Sequence, residues 1–203
     1  MEYILVIALS YILGSSNMAK YLAAIKKVDL TAGGSGNLGA SNAVILMGWG
    51  AGVLTAVHDI GKSALAVILA RMVFPDAPHI GAVAGVASVL GHIYPFWMKF
   101  KGGKGFASYL GMTIALNWKF ALVVLLLVVA ATLITDYIVA GTTTTIVIVP
   151  IYFGLSSGSL ILPLILLIAT AVIAWKHKDN YLRIWKGTEI GFRSAGRGDH
   201  RVK

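Results

Sequence analysis

Long apolar runs separated by short polar or glycine-rich breaks set the pattern of this chain. The first run covers residues 3–25, is interrupted at Gly14, Ser15, Ser16 and Asn17 and again at Lys20, and stops at Lys26 and Lys27. A small, polar notch inside a membrane helix either lets another helix approach closely or lines a cavity, and close packing is the commoner cause. Residues 43–73 are apolar except for His58, Asp59, Lys62 and Arg71. At about 1.5 Å per residue this run exceeds one bilayer crossing, so a short helix is expected ahead of the crossing itself. Asp59 and Lys62 share a helical face at i,i+3, where pairing lowers the cost of burying either charge. After a turn at 74–78, residues 79–97 return as the next run, and 106–116 form a short one. The shortness of 106–116 suggests that the glycine-rich segment before it begins below the membrane surface. Runs at 120–135, 138–154 and 160–175 complete an all-α set of about seven transmembrane helices.

Composition supports a membrane rather than a soluble fold. Apolar residues make up 58% of the 203, charged residues only 12% against roughly 25% in soluble domains, and mean hydropathy is +0.82. Seven spans of about 20 residues leave no room for a separate soluble module, so residues 1–203 are expected to be one membrane-embedded domain. The absence of cysteine removes disulfides, thiol nucleophiles and thiolate metal sites. Neither a metal nor a cofactor is expected. The net charge of +9 sits between and after the apolar runs, a distribution that favours topology and anionic ligands over nucleic acid. Lys26 and Lys27 mark a cytoplasmic end, which puts the N-terminus outside. Lys176, Lys178, Arg183, Lys186, Arg193, Arg197, Arg201 and Lys203 put the C-terminus inside. Met1, Glu2 and Tyr3 lack the leader of a signal peptide, so the first run is expected to remain as a span.

Three polar stretches fall on the cytoplasmic face of this topology. In the first, Gly33, Gly34, Ser35, Gly36, Asn37, Gly39, Ser41 and Asn42 precede an apolar run. Gly34, Gly36 and Gly39 fit G-x-G-x-x-G, but no strand precedes them, so the dinucleotide reading fails. Backbone N–H groups and hydroxyls at a helix N-terminus remain a natural anion cradle, against the plainer reading of a helix cap. The second stretch ends the 79–97 run and threads Lys99, Lys101 and Lys104 through Gly102, Gly103 and Gly105. Glycine lets successive N–H groups converge on one point, and lysine supplies charge that tolerates phosphate from many directions. A basic interfacial loop obeying topology alone is the alternative. In the third, residues 176–183 continue the last helix, with His177, Asn180 and Arg183 at helical spacing on one face. Interfacial amphipathicity alone could produce it.

These residues resemble the PlsY-type glycerol-3-phosphate acyltransferases, bacterial membrane enzymes that use acyl phosphate as donor. The family's G-S-G-N-x-G-A-T-N is met from Gly34 to Asn42 with Ser41 for threonine. Its G-H-x-x-P and F-K-G-G-K-G are met by Gly91, His92, Pro95 and Phe100 to Gly105. Its R-H-x-x-N-x-x-R-x-x-x-G-x-E is met by His177, Asn180, Arg183, Gly187 and Glu189, with Lys176 for arginine, and Asp59 and Lys62 match a D-x-x-K pair. The departures are Thr31 and Ile45 where many members carry arginine, Val139 and Thr142 where a serine pair is usual, and a missing proline after Gly14 and Ser15. A lost charge-assisted phosphate contact at Ile45 could cost roughly 1.5–3 kcal/mol.

The resemblance implies transfer of an acyl group from acyl phosphate to the sn-1 hydroxyl of glycerol 3-phosphate, giving lysophosphatidic acid and phosphate, by a multi-pass protein of the bacterial inner membrane. It places Ser35, Lys104, His177 and Asn180 in catalysis. Gly34, Gly36, Asn37, Asn42, Lys101, Gly102, Gly103, Thr142, Arg183 and Glu189 would bind substrate. Phosphate leaves readily, so positioning and anion stabilisation dominate, with His177 or a substrate phosphate as proton acceptor. The partners are the two substrates and membrane lipid, and the expected state is a monomer. His92 reads as a structural hydrogen-bonding residue. The rivals are a paralogue that acylates another alcohol and a non-enzymatic anion-binding or transport protein; the short, nearly uncharged outer turns disfavour a pore.

Overall fold

A computed structural model describes residues 1–196, and the tail cations Arg197, Arg201 and Lys203 lie outside the described residues. Eleven α-helices and one 3-10 turn account for the regular structure among these residues, and none forms a strand. They are α1 (Glu2–Gly14), α2 (Met18–Lys26), α3 (Ala40–Met47), α4 (Trp49–Val73), α5 (Ile80–Ile93), the 3-10 turn Phe96–Met98, α6 (Phe106–Leu116), α7 (Trp118–Thr135), α8 (Ile138–Ser157), α9 (Ile161–Lys176), α10 (Lys178–Trp185) and α11 (Phe192–Gly196). Five segments are long and apolar enough to cross a membrane, and the bent pair α9–α10 makes a sixth if it counts as one span. The apolar α6, at 11 residues, covers about 16 Å. Residues Met1–Trp118 form one compact unit and a second begins at Lys119.

In the first unit α5 is the hub: every residue from Ile80 to Ile93 except Val83 and Leu90 is buried. Small residues make this possible. A Cβ at Gly14 would overlap the Ser88 backbone, and one at Gly91 would overlap the carbonyl of Tyr11, so α1 and α5 meet backbone to backbone. The notch read at Gly14–Asn17 is therefore a packing device. It also breaks the helix: Asn17 accepts the Lys20 N–H at 2.8 Å and caps α2. The same Ser88 turns its hydroxyl to α4, where it meets the Ser63 hydroxyl at 2.8 Å. The expected short helix before the long crossing is α3, separated from α4 by Gly48 at φ +87°.

The run expected to stay helical to Trp97 stops at Ile93. Pro95 disfavours the helical conformation for the residue before it, and Tyr94 sits at φ −127°, ψ 60°. The following turn is pinned to α1, its end and α2: the Tyr11 hydroxyl donates to Tyr94 O at 2.5 Å, Trp97 Nε1 donates to Ser15 O at 2.8 Å, and Trp97 stacks on Tyr21.

In the second unit α7 buries only Ala121, Val124, Val128 and Thr132, a single stripe at helical spacing, while Leu122, Leu125, Leu126 and Val129 are exposed. Apolar side chains on both the packed and the exposed face are what a bilayer selects. On α8, Thr143, Thr144 and Thr145 donate to the carbonyls of Val139, Ala140 and Gly141 at 2.9, 3.0 and 2.9 Å. The threonine patch thus satisfies itself within its helix.

Candidate active site

The first glycine-rich loop is braced by two buried asparagines. Asn42, fully buried on α3, accepts the Ser35 N–H at 2.8 Å and donates to Leu30 O at 2.8 Å. Asn17 donates to Leu38 O at 3.1 Å from the other side. Gly34 and Gly36 hold φ +58° and +65°, so the chain doubles back there and leaves Ser35 at its exposed tip. Asn37 is half-buried beside Gly39. Asn42, expected to bind substrate, uses one N–H and one lone pair of its amide on the backbone, and so shapes the loop that presents Ser35. Asn17 was legible only as part of a polar notch.

At the second loop Lys99, Phe100 and Gly105 take left-handed conformations, at φ 53°, 58° and 95°. The Gly102 N–H donates to Ile93 O at 3.1 Å and the Gly103 N–H to His92 O at 3.2 Å. The expected convergence of these two N–H groups on an anion is therefore not met, because each closes the loop back onto the end of α5. The glycines serve close approach instead. A Cβ at Gly102 would overlap His92 O and crowd Pro95, and one at Gly103 would overlap the His92 ring. What the loop presents is lysine: Lys101 is exposed and Lys104 half-buried, just ahead of α6. The two loops share a support, since Met98 packs on the cluster of Ala19, Ala23, Leu30, Leu38 and Ala43 that underlies the first.

In the second unit the helix expected to run through residues 176–183 bends by 46° at His177. His177 Nδ1 lies 2.8 Å from Ile173 O, the carbonyl that its own backbone N–H also reaches at 3.1 Å, so the side chain competes inside the helical ladder. A carbonyl only accepts, which assigns a proton to Nδ1. Beyond the bend, Asn180 Nδ2 donates to Glu189 Oε1 at 2.5 Å and Arg183 Nε to Glu189 Oε2 at 2.6 Å. Glu189, expected to bind substrate, clamps Asn180 and Arg183 to the returning chain. That chain is latched further on: the Phe192 N–H donates to Asp136 O at 2.6 Å and the Arg193 N–H to Asp136 Oδ1 at 2.9 Å. Asp136 carried no signal beyond a turn. Thr142, also expected at the substrate, is buried, with its hydroxyl 3.4 Å from Ile138 O on its own helix.

Outside the helices, Asp29 accepts both the hydroxyl and the N–H of Thr31, at 2.7 and 2.8 Å. The Thr31 hydroxyl, then its N–H, hold the Asp29 carboxyl below the usual carboxylate range. No group of three or more metal-ligating side chains occurs among the described residues.

A profile of the family described as glycerol-3-phosphate acyltransferase matches residues 4–187. The chain belongs to the glycerol-3-phosphate acyltransferase family. The glycerol-3-phosphate acyltransferase of Synechococcus sp. (strain CC9902) is 35% identical over 196 residues, covering 96% of this chain and 97% of that one. That of Coxiella burnetii (strain CbuG_Q212) is 35% identical over 190 residues, covering 93% and 97%. Crystal structures of PlsY (YgiH), an integral membrane glycerol 3-phosphate acyltransferase, share the fold. The glycerol 3-phosphate form has a TM-score of 0.90 at 29% identity, covering 97% of this chain and 98% of PlsY; the lysophosphatidic acid form has 0.86 at 28%, covering 97% and 100%.

Within this acyltransferase family the departures of the chain acquire positions. Ile45 lies on α3 with its Cγ2 3.1 Å from where a Gly34 Cβ would stand, so its side chain borders the first glycine loop. Thr31 is engaged with Asp29. Asn17 stands where the first-helix proline is missing and supplies the cap of α2 itself.

Proposed function

We propose that the chain transfers an acyl group from acyl phosphate to the sn-1 hydroxyl of glycerol 3-phosphate, releasing lysophosphatidic acid and inorganic phosphate. The observation that carries this reading is the agreement of nearly the whole chain with PlsY in its glycerol 3-phosphate and lysophosphatidic acid forms. The acceptor oxygen attacks the acyl carbonyl carbon, an ester C–O bond forms, and the bond from that carbon to the phosphate oxygen breaks. The hydroxyl proton goes to His177 Nε2 or to a substrate phosphate. Ser35, Asn37, Lys101 and Lys104 hold phosphate and oxyanion charge. Gly34, Gly36, Gly102, Gly103 and Asn42 act by shaping the two loops. Asn180 orients the reacting group, with Arg183 and Glu189 fixing its position. The whole chain works as one membrane-embedded domain, a monomer with seven crossings, α6 being the short one, the N-terminus outside and the C-terminus in the cytoplasm of a bacterial cell. It needs no cofactor.

Purified protein given palmitoyl phosphate should release phosphate only when glycerol 3-phosphate is present. Silence with every acceptor would overturn the enzymatic reading in favour of anion binding or transport. A second reading, acylation of a different alcohol, is favoured by the apolar Ile45 at the edge of the first loop. It predicts release restored by another polyol and not by glycerol 3-phosphate. Under the first reading, Ile45→Arg should lower the KM for glycerol 3-phosphate by about tenfold, the gain of one charge-assisted contact.

A further inference from the structure

Asp59, Lys62 and His92 are buried in the first unit, 1%, 5% and 3% exposed. Lys62 Nζ reaches Asp59 Oδ1 at 2.8 Å, Ser16 O at 2.6 Å and His92 Nδ1 at 2.9 Å. An ammonium has three hydrogens and no lone pair, so these three partners exhaust it. With Lys62 donating, His92 Nδ1 accepts, and in that tautomer the ring proton is assigned to Nε2. Asp59 Oδ1 also lies 3.3 Å from His92 Nδ1 and 3.5 Å from His58 Nδ1. His58 Nε2 in turn is 3.0 Å from Ser16 Oγ, at the break between α1 and α2.

The opposite edge of the His92 ring meets the second glycine loop. A Cβ on Gly103 would fall on His92 Nε2 and Cε1, while the Gly103 N–H already donates to the carbonyl of the same histidine. Gly103 is thus held between the ring and the backbone of one residue, and it directly precedes Lys104. A buried ion pair is a poor route to stability, because well-packed apolar residues of the same volume serve as well or better. It is a good way to fix one side chain in one orientation.

We infer that Asp59, Lys62 and His92 are positioning residues for phosphate recognition: the ion pair fixes the His92 ring through Nδ1, and the ring sets where Gly103, and hence Lys104, stands. This inference rests on the acyltransferase reading for its kinetic consequences, and on geometry alone for the loop. His92→Asn keeps an amide oxygen where Nδ1 accepts from Lys62 but removes the far edge of the ring.

The test pairs two readouts. Hydrogen exchange of His92→Asn should speed at least tenfold at the amides of 102–104 and stay unchanged in the middle of α5; unchanged exchange at 102–104 overturns the inference whatever the substrate proves to be. With palmitoyl phosphate and glycerol 3-phosphate, the KM for at least one should rise about tenfold in the folded variant. A KM within twofold of the parent for both, with only the amount of folded protein reduced, would leave His92 a packing residue and overturn the inference. Gly103→Ala supplies a second variant, since its Cβ strikes the ring: adding His92→Asn should relieve its KM defect severalfold. Strict additivity of the two changes would mean that ring and loop are not coupled. Wild-type turnover in the same assay tests the acyltransferase reading separately.

Discussion

The two glycine-rich loops of the first unit look alike in sequence and are built on different physics. In the first, Gly34 and Gly36 occupy left-handed conformations, and the loop is held by asparagine side chains. In the second, the left-handed positions fall on Lys99, Phe100 and, at the start of α6, Gly105, and Gly102 and Gly103 are there because His92 and Pro95 leave no space for a Cβ. Gly36 and Gly105 are needed for their torsions, Gly102 and Gly103 for their neighbours, and Gly34 for both, since its Cβ would also meet Asn42 Oδ1. The consequence is functional: the first presents a hydroxyl at an exposed tip, whereas the second closes its own N–H groups against α5 and presents lysine.

Breaking the charged element should have the largest effect. Lys104→Ala should lower kcat/KM by about a hundredfold or more, as loss of one group that stabilises developing charge does; near-normal kinetics in a folded variant would remove Lys104 from the chemistry. Asn42→Ala comes next. It orphans the buried Leu30 O, at about 1–3 kcal/mol, and releases the Ser35 N–H at the exposed loop tip, so thermal unfolding should occur below that of the parent and activity should fall with it.

The comparison itself is sharpened by one substitution in each loop. Gly102→Ala must displace backbone, with an overpacking cost of about 1–3 kcal/mol, and should disable the loop. Gly36→Ala meets only Thr31 O at 3.6 Å; its cost is torsional, roughly 1–2 kcal/mol, and turnover should largely survive. Equal activity losses in the two variants would erase the distinction. The smallest effect belongs to the exposed Asp29. Its depressed carboxyl contributes stability that is present above the unfolded pKa and lost as pH falls through the folded one. Thr31→Val should move the Asp29 titration, followed by NMR, back up toward the ordinary carboxylate value, and should leave neutral-pH activity unchanged.

Much of this was legible in the chain. The apolar runs predicted the helices, including the short α3 ahead of α4, and Gly14 and Ser15 announced close packing. The motif spacing singled out Ser35, Lys104, His177 and Asn180. Less legible were the internal partners of the polar groups. Asn42, Thr142 and the N–H groups of Gly102 and Gly103 carry donors suited to an anion and Glu189 an acceptor, and composition cannot tell that each has a partner within the chain. The bend at His177 was equally hidden, because a helix-compatible sequence gave no sign that the ring would compete for Ile173 O.

The sequence by itself determined the helical membrane fold, the family and the residues available for chemistry, because hydropathy period, net charge and motif spacing are properties of position along the chain. Only the tertiary structure decided what each polar group does. Which glycine is needed for its torsion and which for its neighbour, and which asparagine holds the backbone, depend on atoms brought together from distant positions. So does the contact of a buried Asp–Lys–His cluster with the loop that carries Lys104: Asp59 and Gly103 are far apart in sequence, and packing alone makes them neighbours of one imidazole ring.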